Sequence, residues 1–274
     1  MRDILVYANN VEMRGRSLVY AAQFAAHMSA ALTGIYVSQP VPIAPVFGGA
    51  PAFPEFLAVA AQVADEARKV DSVFCAWAGD HGVSRSRWVV AQGDLCATLA
   101  NIANWHDLLV LESQTKAAWS SIGMLGEILI TCGVPCLIVP ESYAEHAATG
   151  TVVVAWDGSV ESIRAVHAAM PLLKRAEHLI VLDGAGGHTF STLHCDTPLT
   201  LDAELARHGI RFSRRLIDAT GDSAGQVLLD AAWEARADLV IMGAYGSSRY
   251  SEWMFGGATR HVLSSTKIPV FMRH

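Results

Sequence analysis

Charge is sparse in this chain of 274 residues: Asp, Glu, Lys and Arg together make up 17%, against 52% apolar residues. Such a balance excludes a disordered chain and leaves room for one large or two ordinary domains. The 20 Lys and Arg are outnumbered by 26 acids, for a net charge of −6, and they are scattered along the sequence. A nucleic-acid surface clusters positive charge, so no nucleic-acid partner is expected. Long hydrophobic runs are missing as well. No segment approaches the roughly 18 uninterrupted apolar residues of a membrane span, and no membrane partner is expected. The start, Met1-Arg2-Asp3-Ile4-Leu5-Val6-Tyr7, reads as a strand without the apolar segment and cleavage site of a secretory signal, so the expected location is the cytoplasm. Cysteines number five, odd and irregularly spaced, which fits reduced thiols better than a disulfide framework. Cys132 and Cys136 share a segment, but no second ligand pair completes a metal site.

Catalytic signatures are absent too. There is no Gly-x-Ser-x-Gly elbow and no His-Glu-x-x-His helix. His188, His194 and Cys195 form the one cluster with a metal-like flavour, and their spacing matches no zinc pattern, so no metal is expected there. No catalytic residue is assigned.

What the chain does have is a glycine pattern. The apolar run Leu239-Val240-Ile241-Met242, opened by Asp238, leads into Gly243 and Gly246; after nine intervening residues come Gly256 and Gly257, then Ala258 and Thr259. Glycines let backbone approach an anion with no Cβ in the way, and a helix beginning near Gly257 would aim unpaired N–H groups and its positive end at that anion. The pattern is a phosphate-loop signature when a strand precedes it and a helix follows, and both conditions are met here. It is not a Walker loop, since no Lys-Ser or Lys-Thr follows the glycines.

The chain also repeats itself, with a period of very roughly 130 to 150 residues. Asp3 to Ala8 pairs with Gly150 to Trp156, Gly93-Asp94 with Gly221-Asp222, Asp107 to Leu111 with Asp238 to Met242, and Val134-Pro135 with Ile268-Pro269. The offset changes because the first half carries a Pro- and Gly-rich insert, Ser38 to Pro54, that reads as a surface loop. The division predicted is 1–145 and 150–274. In the second half, strands are expected at Val152–Ala155, Leu179–Asp183, Phe212–Ile217, Leu239–Met242 and Val270–Met272. Helices are expected over about Val160–Lys174, Ala224–Ala235 and Gly257–Ser265, with Val227, Leu228 and Ala231 on one buried face. Strands alternating with helices mean an α/β fold, here two similar doubly wound parallel sheets in tandem. Ligands of such sheets sit beyond the carboxyl ends of the strands where strand order reverses, so Asp157 and Gly243 would line one crevice.

On these residues the second half resembles the universal stress protein family, whose nucleotide binders carry Gly-x-x-Gly, nine residues, then Gly and a Ser or Thr. Asp157-Gly158-Ser159 after the first strand, Gly221-Asp222-Ser223-Ala224 before a helix and Ile268-Pro269-Val270 extend the resemblance. The fold it implies is adenine nucleotide alpha hydrolase-like. The function it implies is a stress-response protein binding ATP or another adenine nucleotide, with Mg as its accompanying ion, in a regulatory role. Asp157 would contact adenine or ribose, with Ala155 and Trp156 edging the base pocket; the plainer role for Asp157 is capping the helix near Val160. Met242 would meet the base or belong to the core. Ser247, Ser248, Arg249 and Thr259 would contact phosphates, or in the last case bond nearby backbone. Any ATP hydrolysis would be slow, since no base, metal-holding carboxylate or arginine finger is identifiable.

The chain departs from the family at Gly257, where a hydroxyl residue is expected. The first half departs further: Glu112 stands where the second half has Gly243, Thr115 where it has Gly246, and Asn9 where it has Asp157. A carboxylate repels an anion and Thr resists positive φ, so the first half reads as degenerate, kept for packing or for binding something else. The rival reading is a member that binds no nucleotide and serves as a dimerisation or protein-interaction module, with a homodimer or a protein partner. Trp156, Tyr245 and Trp253 are large enough to fill the crevice themselves.

Overall fold

The computed structural model describes residues 1–13, 15–38, 53–113, 122–144, 146–184, 200–218, 223–246 and 257–274. They form two compact units, one of residues 1–111 with 131–134, the other of 112–130 with 135–274.

The first unit runs β1 (Asp3–Tyr7), α1 (Arg16–Met28), β2 (Ala31–Ser38), α2 (Phe53–Arg68), α3 (Asp71–Asp80), β3 (Ser86–Gln92), α4 (Leu95–Ala103) and β4 (Leu108–Ser113), whose last residues pass into the second unit. Its strands are parallel in the order β3-β2-β1-β4. Ile4, Leu5 and Val6 of β1 and Leu108 to Leu111 of β4 are fully buried, as unbroken apolar strands covered on both faces must be. Asp94 caps α4 by accepting the Ala97 N–H at 2.9 Å, the role of its Gly-Asp landmark. Of the expected surface insert, Ser38 closes β2 and Phe53 and Pro54 open α2, because the apolar pattern that follows favours a helix from there; the rest lies outside the described residues.

The second unit contains α5 (Ile122–Thr131, up to residue 130), β5 (Cys136–Pro140), β6 (Thr151–Trp156), α6 (Val160–Leu173), β7 (His178–Gly184), α7 (Leu201–Arg207), β8 (Ser213–Ile217), α8 (Ala224–Glu234), β9 (Leu239–Gly243), α9 (Gly257–Ser265) and β10 (Val270–Arg273). Its strand order is β5-β10-β9-β6-β7-β8. The stretch β9-β6-β7-β8 has the same parallel topology as β4-β1-β2-β3, so the two halves repeat one doubly wound α/β design. The compact units do not follow the repeat boundary. The strand β5 ends the first repeat, yet it pairs antiparallel with its counterpart β10, Ile138 against Val270 and Cys136 against Met272, and so counts with the second unit.

In α6, Ser162, Ala165, Val166, Ala169, Met170 and Leu173 are buried at the spacing of one helix face. In α8 the buried face is Gly225, Leu228, Leu229, Ala231 and Ala232; Val227, expected among them, is only half-buried, because the face turns toward Leu229. Strand order reverses between β6 and β9, which pair with Val154 opposite Ile241. Both strands deliver their carboxyl ends to the same side of that switch.

Candidate functional site

From β9 the chain passes Ala244, fully buried, then Tyr245 and Gly246. Two contacts pin this turn from different directions: the Ala244 N–H donates to the Arg273 carbonyl at 2.9 Å, and the Tyr245 N–H donates to Thr259 Oγ1 at 3.1 Å. Tyr245 adopts φ 54°, a left-handed conformation that costs a side chain about 1 kcal/mol, and the two contacts hold it there. Its ring turns toward α5, where its hydroxyl stands over Gly126. Burial pushes the Tyr245 phenol above its ordinary pKa, with the nearby Arg260 charge opposing. Tyr245 therefore spends its bulk on α5.

On the β6 side, Asp157 is exposed and its Oδ1 accepts the Ser159 N–H at 2.9 Å, across Gly158 at φ 74°. Ser159 Oγ in turn accepts the Ser162 N–H at 3.1 Å and caps α6. Asp157 thus shapes the turn, and the cap proposed for it falls to Ser159, which stands directly before the first helical residue.

The two loops meet through the first turn of α6. A Cβ placed on Gly243 would lie 2.7 Å from Glu161 C and Ser162 N, so the helix backbone presses on the glycine and no side chain fits. A Cβ on Gly246 would lie 3.2 Å from Glu161 Oε2 and 3.7 Å from Ser159 Oγ. Asp157, Ser159, Glu161, Gly243, Gly246 and Thr259 are in this way one connected site. Glu161 and Ser159 are its members that the glycine pattern does not reveal. The signal for both was local: a Ser immediately before an apolar-periodic run and an acid in its first turn mark a helix start.

The other expected residues take these positions. Ala155 and Trp156 are half-buried at the end of β6; Met242 is buried at 6% exposure. Gly257 is exposed at the start of α9, Ala258 half-buried, and Thr259 buried with its hydroxyl accepting from Tyr245. Ser247, Ser248, Arg249, Trp253 and Gly256 lie outside the described residues, as do Thr115, Gly221, Asp222 and the cluster of His188, His194 and Cys195. Among the described residues no group of three His, Cys, Asp or Glu is placed to hold a metal ion, and no helix is long and apolar enough to cross a membrane.

The first unit has a crevice of about 460 Å³ between the segment that follows β1 and the helix α2, lined by Asn9, Asn10, Val11, Tyr36 and Glu66 among others. Among the described residues its lining carries a carboxylate and no Lys or Arg. Beside Tyr36, burial pushes the Tyr7 phenol up to about 12. Glu112, the counterpart of Gly243, is 3% exposed.

Residues 149–274 match the model of the Universal stress protein family. Solved structures match the fold over the whole chain, two of them as follows. A universal stress protein from Archaeoglobus fulgidus is 14% identical, covers 99% of this chain with 95% of its own, and has a TM-score of 0.67. A functionally unknown protein from Pseudomonas aeruginosa is also 14% identical, covers 100% of this chain with 92% of its own, and has a TM-score of 0.58. At these identities the likeness is one of fold. No curated protein matches the chain by sequence.

Proposed function

We propose, from the premise that the domain formed by residues 149–274 belongs to the universal stress protein family, that this second half binds an adenine nucleotide, ATP or AMP, in a regulatory stress response. The observation that carries the reading is the convergence of Asp157, Gly243 and Gly246 at the switch between β6 and β9, where doubly wound sheets take their ligands. Ala155 and Trp156 then edge the base and Asp157 faces the adenine or ribose. Gly246, with Ser247, Ser248, Arg249 and Gly256 of the sequence that follows it, and Gly257, Ala258 and Thr259 at the start of α9, are the residues that would contact the phosphates and any Mg they bring. Met242, buried, backs the base from the core side. The first half, with Glu112 and Asn9 in place of Gly243 and Asp157, holds no second nucleotide.

A second reading, an interaction module without nucleotide that joins two copies or a protein partner, draws on two features of the same site. Glu161 stands against Gly246, and Thr259 already accepts a backbone N–H. The two readings separate on Gly246→Val. If the nucleotide site is as described, purified protein carries excess absorbance in the adenine band, and the variant loses it while keeping the circular dichroism and melting behaviour of the parent. An unchanged affinity in a folded Gly246→Val protein overturns the site.

A further inference from the structure

Glu161 occupies the second helical position of α6, just inside the Ser159 cap. Its Oε2 lies 3.2 Å from the point where a Cβ on Gly246 would stand, and its carbonyl carbon and Cβ lie 2.7 and 2.8 Å from the corresponding point at Gly243. The carboxylate therefore stands beside the turn that carries both glycines. It also sits where the unpaired N–H groups and positive end of α6 favour an anion, so the anion attracted to that helix end is one the chain supplies itself. A phosphate brought to Gly246 meets this negative charge at close range. The base and ribose carry no charge and do not.

We propose that Glu161 is a specificity-determining residue of the second unit's site, an internal anion that penalises phosphate groups on the ligand while leaving the nucleoside portion untouched. The inference rests on the reading of this site as a nucleotide site. Two negative charges a few ångströms apart at a half-exposed position repel, and the expected penalty on affinity is about tenfold, which is about 1.4 kcal/mol. The wild-type protein accordingly discriminates little between ATP and adenosine, although a phosphate-binding loop ordinarily favours ATP.

The test is calorimetry in EDTA with two probes, ATP and adenosine, on the wild-type protein, Glu161→Gln and Asp80→Asn. The last removes one exposed carboxylate from the first unit and controls for total charge. Expected is ATP binding about tenfold tighter in Glu161→Gln, with adenosine affinity unchanged and neither ligand affected by Asp80→Asn. Glu161→Asp keeps the charge but withdraws it by one methylene, and falls between wild type and Glu161→Gln. Equal gains for ATP and adenosine, no gain for ATP, or the same gain in Asp80→Asn overturns the role of Glu161. Absence of binding by both ligands in every folded variant removes the nucleotide site itself and this role with it. Wild-type binding that Glu161→Gln leaves unaltered removes the role alone.

Discussion

Gly243 shows how one residue type serves two demands that sequence cannot separate. A glycine after a strand signals a close approach of something to backbone, and a ligand was one candidate for that something. The approaching group is α6, whose Glu161 and Ser162 backbone atoms would stand 2.7 Å from an added Cβ. Gly243→Ala forces helix and strand apart and is expected to destabilise the protein by about 1–3 kcal/mol, the ordinary cost of overpacking. Thermal unfolding with and without nucleotide checks it: a lowered midpoint in both conditions is expected, and an unchanged midpoint in the absence of ligand would show that α6 does not press on this position. Thr259 carries a similar ambiguity. Its place in the first turn of α9 was legible, whereas the partner of its hydroxyl, the Tyr245 N–H, depends on a turn conformation that no residue pattern encodes.

At the scale of elements, periodicity carried most of the second unit. The strands β6, β7, β9 and β10 and the helices α6, α8 and α9 fall within a residue or two of where alternating apolar runs put them, because each buries a continuous or one-sided apolar surface. The helix α7 escaped notice because it is short and polar, Leu201 and Leu205 being its buried residues. The pairing of β5 with β10 escaped too, since an apolar strand such as Leu137-Ile138-Val139 does not name its neighbour. In the first unit, His106 ties elements together from a buried position. Its Nε2 pairs with Thr33 Oγ1 of β2 at 3.1 Å and lies 3.3 Å from Arg87 Nη2 of β3, while Nδ1 pairs with the Ile102 carbonyl of α4 at 3.0 Å. Burial holds His106 below the usual histidine pKa; the Ile102 carbonyl opposes this, Arg87 adds to it, and Asp3 and Asp107 oppose it. The folded state thus prefers the neutral ring. This contribution to stability is intact above the ordinary value of about 6.5 and is lost as pH falls from there toward the lower folded value. Melting midpoints measured from about pH 7.5 down to about pH 5 should fall for the wild-type protein and fall less for His106→Gln. An equal decline in both would remove His106 as the cause.

At the scale of the whole molecule, the repeat was legible because its landmarks are chemical rather than merely apolar. Strand openings, a Gly-Asp pair that caps a helix through Asp94, and a Pro before the last strand recur in the same order. The same comparison is the ground on which the proposed nucleotide is assigned to the second half. The second half keeps Gly243 and Asp157 at the strand ends that meet at its switch point, whereas the first puts Glu112 and Asn9 at the matching positions and, among the described residues, lines its own crevice with Glu66 and no Lys or Arg. The account therefore expects one nucleotide per chain, not two. Calorimetry of ATP and AMP on the intact protein, with and without magnesium, tests this most directly. Binding in the micromolar range, near −8 kcal/mol, with one site per chain is the predicted result. No heat and no thermal shift with either nucleotide would contradict the account and leave the interaction module in its place.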